Sequence, residues 1–302
     1  MSGHQTLCHY TDLTGLTGII RSGAFWATNL AFLNDKSELL HGLDCAKEAL
    51  QLMPSPVQFD EWDQDVTAAI EQLKEQVIDD IFTVSFCRNP DLLSQWRGYG
   101  GKTQGVSLVF DQQQLVAMFE GFVKRELIIL NDTLPLEKFY LINNEVTYTE
   151  PEQTPKFKDK IQIFIDEYET YEKAIGPDEA NQSGYVQYMI SQVAPFFKHS
   201  GFREEEEYRI VITNIFGNDK IQFRNNGKTI IPYIPATLTG GKKDATEEEK
   251  KEKKEKIILP LREIKVGPCE DFMQVKKGIE MLLRANGYFG VKITSSSIPY
   301  RG

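Results

Sequence analysis

The chain has 302 residues, enough to bury a sizeable core and more than a single domain usually needs. Hydrophobic residues make up 41% and aromatics 11%, as in soluble globular proteins. A net charge of −10 excludes broad affinity for nucleic acid or anionic membrane, although it leaves room for a local basic groove.

Cys8, Cys45, Cys87 and Cys269 are scattered and form no C-x-x-C pair, which excludes a zinc or disulfide framework and predicts free thiols. Met1–Gln5 lacks the basic and apolar regions of a secretory signal. No apolar run approaches the ~18 residues that span a bilayer. The expected setting is cytoplasmic, without a membrane partner.

Thr6–Tyr10 reads as a strand, and Thr11 or Asp12 can cap the helix after it. Leu13, Leu16, Ile19 and Ile20 form that helix's apolar stripe, closed by Gly23. Ala24–Thr28 predicts a second strand. Asp35 and Glu38 have the spacing of a capping box, opening a helix that Pro54 and Pro56 break near Met53. A further helix is expected over Val57–Asp80.

Ile81–Phe86 reads as a buried strand, followed by an Asn89-Pro90 turn and a helical turn with Leu92, Leu93 and Trp96. Gly101-Lys102-Thr103 is not a phosphate loop. The earlier glycine is missing, and Val106–Phe110 is β-like where the motif needs a helix. Helices are expected over 112–122, 156–175 and 183–199, with strands over Glu126–Leu130 and Asn144–Thr149.

The run Phe202–Ile212 passes from four glutamates into a β-branched stretch. Read as one strand, it places Glu205, Glu207 and Arg209 on one face and Tyr208, Ile210 and Ile212 on the other. A solvated acidic edge is the plain alternative. Strands follow near 219–224 and 228–235. Thr239–Lys256 alternates blocks of Glu and Lys and cannot bury against a core, so it reads as a charged, solvated insertion. Ile257–Val266 returns to strand. A helix with Phe272, Val275, Ile279, Leu282 and Leu283 on one face stops at Asn286-Gly287, and Val291–Ser295 is a last strand. The fold class is α+β, read as a single elaborated catalytic domain over 1–302 with the charged insertion at 239–256.

Eight segments in order resemble bacterial domain-of-unknown-function family 2971. They are His9-Tyr10-Thr11, Asn34-Asp35-x-x-Glu38, Val84-Ser85-Phe86, Trp96 with Gly105, Glu205-x-Glu207-Tyr208-Arg209, Pro232-Tyr233, Gly267-Pro268 and Ile298–Arg301. A first-strand His with a hydroxyl two residues on, a strand ending in Ser and a late strand-start Glu are also similar to the ADP-ribosyltransferase superfamily. That resemblance implies split antiparallel β-sheets flanked by helices around a cleft for NAD. His9, Tyr10, Thr11 and Ser85 would bind NAD, with Thr83 beside Ser85. Glu207 would be the catalytic glutamate and Glu205 its upstream partner. Tyr10 stands where that superfamily often has Gly, and Thr83-Val84-Ser85 replaces a serine-rich triplet.

Cleaving the nicotinamide–ribose bond builds positive charge on the sugar, which a fixed carboxylate stabilises. The expected activity is NAD-dependent transfer of ADP-ribose to a macromolecular acceptor, protein or nucleic acid, in a toxin or antiviral defence effector with a neutralising partner protein. An NAD glycohydrolase and a non-catalytic nucleotide-sensing or partner-binding module are the alternatives. A buried strand histidine bonded to a carbonyl is the plain reading of His9. Four dispersed histidines offer no metal-hydrolase motif.

Overall fold

The computed structural model of the chain describes residues 5–33, 37–75, 81–99, 103–130, 134–137, 139–150, 155–176, 181–214, 220–225, 227–238 and 258–299. Strand β1 (Thr6–Asp12) organises the sheet. It pairs antiparallel with β4 (Gly105–Asp111) over seven Cα partners, from Thr6–Asp111 to Asp12–Gly105. With β3 (Ile81–Cys87) it shares one pair, Cys8–Cys87. The sheet therefore forks between β1 and β3 beyond that point.

Asp12 ends the strand by accepting the Gly15 N–H at 2.7 Å, which caps helix α1 (Leu13–Ser22). Leu16, Ile19 and Ile20 are buried, and Gly23 closes the helix at φ 63, its N–H donating to the Ile19 carbonyl at 2.8 Å. That left-handed conformation costs any other L-residue about 1–2 kcal/mol. Strand β2 (Ala24–Asn29) follows, then α2 (Ser37–Gln51), α3 (Trp62–Glu75) and, past β3, α4 (Leu93–Tyr99).

After β4 come α5 (Gln112–Arg125), the antiparallel pair β5 (Leu127–Leu130) and β6 (Leu134–Glu137), then β7 (Phe139–Glu145) and β8 (Thr147–Thr149). Helices α6 (Pro155–Ile175) and α7 (Gln182–Val193) lead to β9 (Phe197–His199) and β10 (Glu207–Asn214). The chain closes with β11 (Gln222–Asn225), β12 (Ile230–Thr237), β13 (Leu261–Val266), α8 (Phe272–Ala285) and β14 (Lys292–Ser295). The sheet order is β11-β12-β2-β3-β1-β4-β13-β14, with β10 beside β3 and β7 beside β10. The class is α+β, and antiparallel pairing dominates this sheet.

The chain divides into two compact units. The first comprises 1–27, 82–143 and 205–302 and holds the large sheet. Its core joins Leu7, Phe25, Phe86, Leu108, Phe110 and Ile210. The second comprises 28–81 and 144–204. There Phe59 packs on Trp62 and Tyr168, Tyr168 packs on Tyr185, and β8 runs parallel to β9. Lys198 and Glu38 form a nearly buried ion pair at 2.8 Å in that unit.

Several boundaries differ from expectation. The helix expected from Val57 starts at Trp62, because Gln182 holds the preceding chain, accepting from the Asp60 N–H and donating to the Gln58 carbonyl. The helix expected to reach 199 ends at Val193, ahead of a Pro195-containing 3-10 turn and β9. The capping residue Asp35, its neighbour Asn34 and the insertion 239–256 lie outside the described residues.

Candidate functional site

Alternation assigns side chains to the two faces of the large sheet. Leu7, Phe82, Val84, Phe86, Tyr208, Ile210 and Ile212 are in the apolar core. Their neighbours Cys8, Thr83, Ser85, Cys87, Glu207 and Arg209 therefore leave β1, β3 and β10 on the opposite, more polar face. β3 pairs with both β1 and β10, so three of the segments singled out by sequence meet on it.

His9 belongs to the apolar face. Its ring stands edge-on to Phe25, with centroids 5.2 Å apart, and 5.5 Å from Phe86. Its Nδ1 lies 3.1 Å from the Ser85 carbonyl oxygen, so Nδ1 carries the proton and donates. Burial pushes the imidazole below its usual pKa, against the opposing effect of the Ser85 carbonyl. His9 thus ties β1 to β3 through the Ser85 carbonyl. Thr11 shares this face and lies under α1: a Cβ on Gly15 would collide with its hydroxyl.

Tyr10 points the other way and is fully engaged. Its hydroxyl donates to the Asn89 carbonyl at 2.8 Å and accepts the Leu92 N–H at 2.9 Å, and its ring packs 4.7 Å from Trp96. Cys8, on the same face, is no nucleophile, because burial, with Glu263 adding to it, pushes the thiol up to about 12.

Glu205 does not share a strand with Glu207. It ends the 3-10 segment Ser200–Glu205, and Glu206 adopts φ 42 before β10 begins at Glu207. That left-handed residue breaks the alternation, so the expected same-face carboxylate pair is not formed. The Arg88 N–H donates to the Glu206 carbonyl at 3.2 Å and pins the strained residue to the end of β3.

Glu207 is 4% exposed and Arg209 2%. They pair bidentately on one strand face, Nε to Oε1 at 2.6 Å and Nη2 to Oε2 at 2.9 Å. The side chains of His9 and Glu207 consequently leave the sheet on opposite faces and do not converge, contrary to the sequence expectation. Ser85 and Glu207 do share a face, on adjacent strands.

Sequence reasoning missed two residues that build this region. Arg88 donates from Nη1 to the Thr6 carbonyl at 3.2 Å and to Gln112, and its guanidinium lies 5.4 Å from the centre of the Tyr208 ring. Asp91 accepts from Trp96 Nε1 at 2.9 Å and from the Ser297 N–H at 2.8 Å, tying the 88–99 segment to the C-terminal strand end. Burial opposes its ionisation, but the bonds from Ser296, Ser297 and Trp96 hold its carboxyl below the usual range. The only sequence signal for Asp91 is the turn dipeptide before it. Among the described residues, no group of three or more His, Cys, Asp or Glu side chains is placed to hold a metal ion. No described helix is long and apolar enough to cross a membrane.

Residues 95–210 match a family described as protein of unknown function (DUF2971), the relationship expected from the sequence. The matched stretch carries Trp96, Gly105 and the Glu205–Arg209 motif. No curated protein and no solved structure matches the chain.

Proposed function

We propose that this chain, related to DUF2971 through residues 95–210, is an NAD-dependent ADP-ribosyltransferase. One observation carries the reading: Ser85 and Glu207 share a face on adjacent strands, beside the fork where β1 leaves β3.

In this reading the acceptor nucleophile attacks C1′ of the nicotinamide ribose. The C1′–N bond breaks, nicotinamide leaves with the bonding electrons as a neutral ring, and the nucleophile's proton passes to solvent. Positive charge peaks on the ribose in the transition state. The Glu207 carboxylate would stabilise that charge, and its buried pairing with Arg209 keeps it fixed without reorganisation. Ser85 lines the same face. His9 becomes a positioning residue, holding the fork through the Ser85 carbonyl.

The opposed directions of His9 and Glu207, and the closure of Glu207 onto Arg209, favour a second reading as a nucleotide-binding module without turnover. Incubating wild-type and Glu207→Gln protein with labelled NAD and cell extract separates the two. The transferase reading expects label transfer or nicotinamide release that falls on the order of 10²–10³-fold in the variant. NAD binding by calorimetry with no nicotinamide release from wild type would support the module. Free ADP-ribose without labelled macromolecule would identify a glycohydrolase.

A further inference from the structure

We infer that the β11–β12 hairpin and Trp26 form a stacking platform for the bases of single-stranded nucleic acid, and that this is the acceptor class. The acceptor assignment rests on the transferase reading; the binding site does not.

The chain carries a net charge of −10, yet 220–238 contains Lys220, Arg224 and Lys228 and no acidic residue, although Lys220 is ion-paired with Glu126 at 3.0 Å. This hairpin forms one end of the large sheet, with β2 next to it. Tyr233 pairs across it with Gln222, and its hydroxyl donates to Gln222 Oε1 at 3.0 Å, which fixes the ring. Trp26 lies on Tyr233 with centroids 4.7 Å apart and planes tilted by 31°. The Arg224 guanidinium is 5.7 Å from the Trp26 ring centre.

Trp62 and Trp96 are buried in the core, but Trp26 is 49% exposed. A large aromatic held rigid by a second ring beneath it, with half its area in water, is costly to maintain for packing alone. Stacked aromatics beside a guanidinium group offer a base a π-face and its phosphate a cation, without sequence preference. Alternation puts Trp26 on the polar face of the sheet, the face of Ser85 and Glu207, because its neighbours Phe25 and Ala27 belong to the core.

The test is a fluorescence titration of the full chain with unlabelled single-stranded DNA and RNA of roughly 20 nucleotides, without NAD. Because two of the three tryptophans are buried, quenching reports Trp26. Wild type should bind with quenching. Trp26→Ala, followed by anisotropy of a dye-labelled strand, should weaken binding roughly 5- to 150-fold, while Trp26→Phe retains most of it. Arg224→Gln should lower the slope of log affinity against log salt by about 0.7. No binding by wild type, or equal binding by wild type and a Trp26→Ala protein with unchanged near-UV circular dichroism, overturns the site. A platform that binds strands in a protein that never cleaves NAD overturns the transferase reading and leaves the binding site in place.

Discussion

At the scale of single residues, the region is governed by how one buried carboxylate is neutralised. Removing only one partner of the Glu207–Arg209 pair leaves a charge in a dry setting, so Glu207→Ala should cost about 3–5 kcal/mol. Replacing both, as Glu207→Leu with Arg209→Met, should be close to neutral by the same reasoning, and urea denaturation of the three proteins checks it. Glu207→Gln keeps a hydrogen-bond acceptor for Arg209, which makes it the better probe of chemistry. His9 contributes a pH dependence of definite sign. Its folded pKa lies below the 6.5 of the unfolded chain, so above 6.5 both states are neutral. Below 6.5 the unfolded chain takes up the proton first, and stability falls until the folded pKa is passed. His41 shifts in the same direction, so it adds to the effect. Comparing wild type with His9→Gln at about pH 7.5 and about pH 5.5 should show a shallower loss in the variant. An unchanged slope would mean that the imidazole is not held neutral.

At the scale of elements, contact between α1 and β1 turns on a glycine. Gly15 has no room for a Cβ against Thr11, so Gly15→Ala should push the helix off the strand and destabilise by about 1–3 kcal/mol. Calorimetric unfolding measures it, and Gly18→Ala, where a Cβ meets nothing within 4 Å, is the control. Most elements were legible because local chemistry marks their ends. Asp12 and Gly23 bracket α1, and Asn286-Gly287 stops α8, as their types predict. The expected faces of Tyr208, Ile210 and Ile212 also hold. The acidic motif was less legible: its continuation as a strand back to Glu205 ignores the left-handed Glu206, and nothing in four successive glutamates marks which one takes it. The direction of His9 relative to Glu207 depends on strand register, which involves residues nearly 200 positions apart. Arg88 and Asp91 were invisible for the same reason, since their partners lie far along the chain.

At the scale of the whole molecule, two compact units come from one chain whose segments alternate between them. Ser85, Glu207 and the Trp26 platform all fall in the first unit. The Lys- and Glu-rich stretch 239–256 interrupts that unit between β12 and β13 in sequence. Removing residues 240–256 should spare NAD turnover if the chain is an enzyme, and should abolish activity if the charged insertion is what a partner recognises. Nicotinamide release by the deletion protein decides it. The most direct measurement of the central claim remains transfer of label from NAD by wild-type and Glu207→Gln protein, each confirmed folded. Label incorporation by the first, reduced on the order of 10²–10³-fold in the second, is the predicted result; equal incorporation by the two would contradict the account.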